Sequence, residues 1–158
     1  MLDLLTKLTN NTYLDADLYD QTQFYQKLTK DLKKVRAEVI IESPFITKTR
    51  LTKLLPLLTE LKSNRVKVII NTRDPNEHKG FMKIDAQHAL SSLLELGIQV
   101  IFTKNLHRKL VILDRTIVWE GSLNVLSQNN SQELMRRTSS SSLAWKLIHL
   151  TKLDDKIS

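Results

Sequence analysis

The chain has 158 residues, a length that suits one domain, and 41% of them are hydrophobic, which is enough to fill a core of that size. It contains no cysteine, which excludes disulfides and thiolate metal sites, and no apolar run approaches the roughly 20 residues of a membrane span. Its formal net charge of +7 favours polyanionic partners, first nucleic acid and then an anionic membrane surface. A basic protein without such a partner is the alternative. With no signal peptide in its first residues, we expect a soluble cytoplasmic protein.

The first half of the chain predicts helices that alternate with strands. Residues 1–20 carry only a weak pattern, and we expect a short helix or an arm there, ahead of a single domain over residues 21–158. Apolar residues at helical spacing predict helices over 21–35, 51–61 and 84–96, whereas apolar runs predict strands over 38–42, 66–70 and 98–102. This alternation implies crossover connections and parallel pairing of the strands.

The rhythm changes in the second half. Strands over 109–113 and 116–120 are joined only by Asp114 and Arg115, so they should form a hairpin. A sixth strand is predicted over 133–137, and the serine run that follows is expected to cap a last helix over 142–151. The predicted fold is therefore α/β, with a mixed, mostly parallel β-sheet flanked by helices on both faces.

A histidine and a lysine two residues apart form the first chemical signal. On a strand His107 and Lys109 would share a face, while Arg108 and Asp114 would point the other way. Lys109 could hold an anion and favour a neutral, nucleophilic imidazole, which suits phosphoryl chemistry. When no other motif accompanies it, a His-x-Lys pair is more often a histidine at the start of a strand beside a surface lysine.

The spacing around this pair carries more information than the pair itself. The segment HRKLVILD is followed, six residues after Asp114, by Gly121, Ser122 and Asn124, which gives the pattern HxKx4Dx6GSxN. This pattern resembles the phospholipase D superfamily signature at every specified position. The downstream acid Glu133 also matches, and the likeness covers roughly residues 38–150.

The resemblance implies a role for each matching residue. His107 would attack phosphorus and form a phosphohistidine, Lys109 would bind the non-bridging oxygens, and Ser122 and Asn124 would help to hold the phosphate. Glu133 would accept a hydrogen bond from the imidazole and fix its tautomer. Asp114 belongs to the signature's catalytic set, but its place on the other strand face indicates a mainly structural role at the hairpin.

Such a mechanism requires neither a metal nor another cofactor. The four histidines form no pair at zinc-binding spacing, which makes a metal site improbable. His78, His88 and His149 are best explained as surface or helix-packing residues. Covalent phosphoryl transfer also needs an acid for the leaving oxygen, and larger family members supply it from a second copy of the signature. The sequence holds one copy, so we expect a homodimer in which two copies of His107 and Lys109 share one site.

The substrate is less constrained than the chemistry. Basic charge, one copy of the signature and a likeness to the nuclease domains of helicases and restriction enzymes favour an endonuclease that acts on DNA rather than RNA. The same likeness suggests a helicase or restriction-system partner. Positive side chains could line a groove that tracks phosphates, at Arg73, Lys79, Lys104 and Arg108. The alternatives are a non-catalytic nucleic-acid-binding module and a phospholipid phosphodiesterase, although no membrane element is expected.

Overall fold

The computed structural model describes residues 15–127 and 130–157. Within them, seven strands form one sheet: β1 Asp15–Asp20, β2 Glu38–Glu42, β3 Lys67–Thr72, β4 Gln99–Phe102, β5 Leu110–Leu113, β6 Ile117–Gly121 and β7 Leu134–Ser139. Four α-helices accompany it: α1 Phe24–Leu32, α2 Lys48–Ser63, α3 Phe81–Glu95 and α4 Ser141–Leu150. A short 3-10 helix, Pro75–Glu77, lies between β3 and α3.

The sheet is mixed, as predicted, but its described strands pair mostly antiparallel. Their order is β1-β7-β6-β5-β2-β3-β4, and only the β2–β3 and β3–β4 pairs are parallel. The prediction of a mostly parallel sheet was wrong because the helical crossovers connect only β2, β3 and β4. β5 turns back beside β2, and the tight turn at Asp114 and Arg115 makes β6 antiparallel to β5.

The N-terminal prediction needs a second correction. Residues 15–20 are neither an arm nor a short helix, because they form the edge strand β1, paired antiparallel with β7 from Asp15↔Ser139 to Asp20↔Leu134. Residues 1–14 lie outside the described part of the chain. The strand was missed because its sequence, DADLYD, carries three acids in six residues, which suit an exposed edge but resemble a polar loop.

Helices cover both faces of the sheet, as predicted. One core joins α1, α2 and α3 to one face, through Leu28, Leu58 and Leu93 against strand residues such as Val111. The other core joins α4 to the opposite face, through Ala144 and Ile148 packed with Ile40, Ile112 and Val118. Alternate residues of the central strands therefore feed two different cores, which explains why their sequences read as unbroken apolar runs.

Local sequence features set the ends of the helices. Ser140 caps α4 by accepting a hydrogen bond from the Leu143 N–H at 3.1 Å, which confirms the expectation for the serine run. α2 continues through Pro56, although proline removes one backbone donor, because four leucines of this helix are buried: Leu51, Leu54, Leu58 and Leu61. No helix in the described part of the chain is both long and apolar enough to cross a membrane.

Candidate active site

The segment that carries His107 and Lys109 comes just before β5 rather than inside it, since β5 begins at Leu110. Specific contacts hold this segment in place. The Arg73 Nε donates a hydrogen bond to the Leu106 carbonyl at 2.7 Å. Leu106 itself is buried, whereas the His107 side chain is exposed. The histidine is thus presented to solvent from a fixed stretch of backbone.

Arg108, between the two motif residues, reaches into the sheet. Its guanidinium forms two 2.8 Å hydrogen bonds to the carboxylate of Glu42, which is fully buried at the end of β2. Asn71 at the end of β3 donates to the same carboxylate at 2.6 Å. Because a buried carboxylate needs such partners, the pair fixes Arg108 firmly. Arg108 was predicted as a possible phosphate-tracking residue, but these bonds occupy much of its guanidinium.

His107 and Lys109 do meet, although they are not on a regular strand. The Lys109 Nζ lies 3.3 and 3.4 Å from the two imidazole nitrogens of His107 and donates to the His107 carbonyl at 2.7 Å. Partial burial, together with the charge of Arg73, lowers the pKa of Lys109, while the charge of Glu133 opposes this. An ammonium group can only donate, so this contact suits an imidazole with a free lone pair, which is the nucleophilic form.

Glu133 lies beside the lysine. Hydrogen bonds from the Ser122 and Ser131 hydroxyls hold its pKa below the usual range, with a further contribution from the charge of Lys109. The Ser131 Oγ is 2.5 Å from the Glu133 Oε1, and Gln21 accepts the Glu133 backbone N–H at 2.9 Å. Among the described residues, no hydrogen bond joins Glu133 to the imidazole, so its orienting role stays a prediction.

The Gly-Ser-x-Asn turn begins where β6 meets β7. A Cβ on Gly121 would lie 2.1 Å from the Leu134 carbonyl oxygen, so only glycine permits this close approach of the two strands. Ser122 follows with an exposed side chain, and its backbone N–H donates to the same carbonyl at 3.0 Å. The Ser122 Oγ accepts the Leu134 N–H at 3.1 Å. The glycine thus brings Ser122 and Glu133 together.

The rest of the turn is held by contacts with α1 and with the loop after β2. The Tyr25 hydroxyl donates to the Val125 carbonyl at 2.8 Å, and burial raises the pKa of Tyr25 to about 12, so the donor is retained. The Ser43 Oγ, just beyond β2, accepts the Leu126 N–H at 3.1 Å. Asn124 is half-buried within this turn, and its Oδ1 is buried without a hydrogen-bond partner among the described residues. The phosphate-binding role of Asn124 stays a prediction.

Asp114 lies at the far end of β5 from His107. Its carboxylate accepts the backbone N–H groups of Arg36, Ala37 and Glu38 at 2.8–2.9 Å. Burial raises the pKa of Asp114, but these backbone donors outweigh it and hold that pKa below its ordinary value. The structure therefore places the aspartate of the signature at the start of β2, where it anchors the hairpin rather than contacting His107.

The remaining histidines lie elsewhere. His78 is buried, His88 is exposed on α3, and His149 is exposed near the end of α4, 3.3 Å from the Asp154 carboxylate. Within the described residues, the His107 ring has Lys109 as its hydrogen-bond partner, and no second histidine contacts it. No group of three or more histidine, aspartate and glutamate side chains in this part of the chain could hold a metal ion.

An open groove adjoins the cluster of His107, Lys109, Ser122 and Glu133. It has a volume of about 720 Å³ and is lined by Ser122 and Glu133 together with Asp20 and Gln21 from the end of β1. Sequence reasoning missed Glu42 and Gln21, and it predicted Arg73 as a possible phosphate-tracking residue but not its contact with the Leu106 carbonyl. A charge that closes the apolar run of β2 was a usable signal for Glu42, because such a residue must find a buried partner. For Gln21 and Arg73 the contacts depend on distant segments.

Comparisons with known proteins identify the fold and the family. Residues 28–149, most of the chain, match the family model described as "Cardiolipin synthase, PLD-like domain". A search of curated proteins gave no match. Among solved structures, Nuc from Salmonella typhimurium, a phospholipase D family member, is 16% identical with a TM-score of 0.67, over 87% of this chain and 91% of that one. NucT from Helicobacter pylori is 18% identical with a TM-score of 0.67, over 89% and 94%.

The fold also occurs in larger proteins. TrmBL2, an archaeal chromatin protein, is 11% identical with a TM-score of 0.60, over 98% of this chain and 58% of that one. At these identities the solved structures show a shared fold. The family model matches the amino-acid sequence itself over residues 28–149. The resemblance noted in the sequence is thus confirmed, and the chain belongs to the PLD-like domain family.

Proposed function

We propose that the protein is a metal-independent endonuclease that cleaves DNA through a phosphohistidine at His107, in a site shared by two copies of the chain. The observation that carries the proposal is the exposed His107 imidazole held against the Lys109 ammonium, with Ser122 and Glu133 close by. A nucleophile beside a fixed cation and hydroxyl donors suits an anionic phosphodiester.

The proposed reaction has two displacements. A nitrogen of His107 forms a bond to phosphorus while the bond from phosphorus to the leaving oxygen breaks, and the leaving oxygen takes a proton from a second imidazolium. Water then attacks phosphorus, gives its proton to that second imidazole, and the N–P bond breaks. Lys109, Ser122 and the amide of Asn124 would bind the non-bridging oxygens, where negative charge grows in both transition states.

The second imidazole is the reason for a dimer. One histidine cannot attack phosphorus and protonate the oxygen on its opposite side, and no other histidine of the described residues contacts His107. The His107 side chain is exposed, and Glu133, which lies beside Lys109, lines an open groove, as in half of a shared site. We therefore infer that a two-fold axis brings a second His107 to the same phosphate.

Nucleic acid is favoured over lipid by the net charge of +7 and by the fold shared with Nuc and NucT. Two other functions have a specific observation behind them. The fold shared with TrmBL2, whose structure is described as showing a novel mode of DNA binding, supports a module that binds DNA without cutting it. The description of the matching family model, cardiolipin synthase, supports a phospholipid phosphodiesterase.

One experiment separates the three functions. Plasmid DNA, single-stranded DNA, RNA and phosphatidylglycerol vesicles are each incubated with the protein, with and without EDTA, beside the His107→Ala variant. Binding and cleavage of each substrate are measured. We expect the protein to cut DNA at the same rate with and without EDTA. The rate of cutting should fall by a factor of about 10³ or more in the His107→Ala variant. Loss of cutting in EDTA would overturn the metal-independent mechanism. Binding without cutting would favour the DNA-binding module, and turnover of phosphatidylglycerol vesicles alone would favour the lipid enzyme.

A further inference from the structure

A second, smaller groove opens beside the candidate active site. It has a volume of about 150 Å³ and is mostly apolar, with walls from the loop after β2, the start of α3 and the segment after the Gly-Ser-x-Asn turn: Phe45, Ile46, Thr47, His78, Phe81, Met82, Asp85 and Ser127. We name it the Phe45–Phe81 groove. At its rim, Phe81 is 79% exposed and Met82 is 50% exposed. Two large apolar side chains next to each other in water indicate a contact surface.

The inner wall of the groove is flat and aromatic. The Phe45 and His78 rings lie 5.2 Å apart at an interplanar angle of 33°, and the Arg73 guanidinium lies 5.2 Å from the centre of the Phe45 ring. Burial lowers the pKa of His78, and the charge of Arg73 lowers it further against the opposing charge of Glu77, so the buried imidazole is a neutral ring at neutral pH. This wall offers π-faces, and a guanidinium lies near the Phe45 ring.

Two hydrogen bonds link the surroundings of this groove to the segments that carry the active-site residues. Arg73, over Phe45, donates to the carbonyl of Leu106, the residue before His107. Ser127, at the other side of the groove, donates its backbone N–H to the carbonyl of Asn124 at 3.0 Å. A strand whose phosphate lies at His107 and Asn124 therefore has the groove directly beside it.

We propose that the Phe45–Phe81 groove binds an unpaired nucleobase that flanks the phosphodiester at His107, and so selects single-stranded nucleic acid. The proposal rests on the proposed nuclease function and specifies its substrate. An apolar cavity of about 150 Å³ holds a molecule such as benzene, so the groove has room for one flat ring. Aromatic faces with a nearby guanidinium are what proteins use to stack bases without reading their sequence.

Charge distinguishes a nucleotide from a purely apolar occupant. The sugar-phosphate of a base in the groove would pass Arg73, and Lys79 is exposed on the loop that leads to Phe81. The Asp85 carboxylate, on the groove wall, accepts the Lys48 backbone N–H at Oδ2 (3.0 Å), which leaves Oδ1 to accept a hydrogen bond from an exocyclic amine of the base. A base inside a duplex is stacked and paired, so it can enter the groove only after it is extruded.

The test measures binding without cleavage. In a His107→Ala background and in EDTA, fluorescence anisotropy compares a labelled single-stranded oligodeoxynucleotide with an abasic strand of equal length and charge. Phe81→Ala should weaken binding of the base-containing strand by about 5-fold or more and leave the abasic strand unaffected. Leu94→Ala is the matched control, because Leu94 is 56% exposed on the same helix and does not line the groove.

The outcomes separate this proposal from the nuclease proposal. If the chain with His107 cuts nothing, yet Phe81→Ala still weakens binding of the base-containing strand alone, the base site stands and the nuclease function fails. If the protein cuts DNA, but Phe81→Ala and Leu94→Ala bind the base-containing strand with equal affinity, only the base site is overturned. It would also be overturned if Phe81→Ala acted solely on binding to phosphatidylglycerol vesicles, or converted a dimer into monomers by light scattering.

Discussion

At the scale of single residues, the candidate site depends on side chains that position the reactive pair without touching a substrate. Arg108 is the clearest of them, because the backbone between His107 and Lys109 has no strand partner and is held by the ion pair with the buried Glu42. A displacement of this segment by about 1 Å would cost far more rate than stability.

Removing the guanidinium should therefore affect both stability and rate. We expect Arg108→Met to lower the free energy of unfolding by about 3 kcal/mol, near the low end for a broken buried pair since the Arg108 side chain is 44% exposed. Adding Glu42→Gln should recover part of that loss, because it removes the unpaired charge, but kcat should stay low. Urea denaturation and turnover are measured for the native chain, the two single variants and the double variant. A double variant with normal kcat would contradict the positioning role.

Asp114 gives a second residue-scale prediction, one that depends on pH. Burial raises the pKa of Asp114, but its three backbone donors favour the carboxylate and hold the folded pKa below its ordinary value. This stabilisation is present above pH 4 and is lost as the pH falls through the folded pKa. Asn tolerates the positive φ of 48° at this position, so Asp114→Asn should cost about 2 kcal/mol at pH 7 without a change in the turn.

The gap in unfolding free energy between Asp114→Asn and the native chain should thus be constant from pH 7 to 5 and shrink below pH 4. Urea titrations at each pH measure it. A gap that grew on acidification would contradict the assignment of these three hydrogen bonds to an ionised carboxylate.

At the scale of elements, the sequence was most informative where a local rule decides the structure. The strand Glu38–Glu42 has the predicted bounds, and the tight turn at Asp114 and Arg115 has both residues in the left-handed region. Long-range contacts decided the rest. Nothing local in His107–Lys109 shows that β5 starts only at Leu110. Nothing local in β1 shows that it pairs with a strand more than 100 residues away.

The cap of α4 offers a test at this scale. Ser140→Ala removes the acceptor of the Leu143 N–H and should lower the free energy of unfolding by about 1 kcal/mol. Ser141→Ala is the matched control, since Ser141 is exposed in the first turn, and it should change stability by less than about 0.5 kcal/mol. Equal effects of the two variants in thermal unfolding would mean that Ser140 is not the cap.

At the scale of the whole molecule, sequence patterns could not show how the two halves of the sheet join. Alternating helices and strands correctly predicted three parallel strands but not that β5 would add to β2 in the opposite direction. The signature spacing succeeded for a different reason. It places His107, Lys109, Ser122 and Glu133 on two adjoining loops, so one local cluster contains most of the candidate site.

The proposed dimer makes a quantitative whole-molecule prediction. If one phosphate needs a His107 from each chain, a mixed dimer with one His107→Ala subunit is inactive. When native and variant chains are allowed to exchange at constant total concentration, activity should fall with the square of the native fraction, to about one quarter in an equal mixture. Independent sites in each chain would instead give about one half. Leu94→Ala in place of His107→Ala should leave the activity unchanged, because Leu94 is exposed on α3 and lines neither groove.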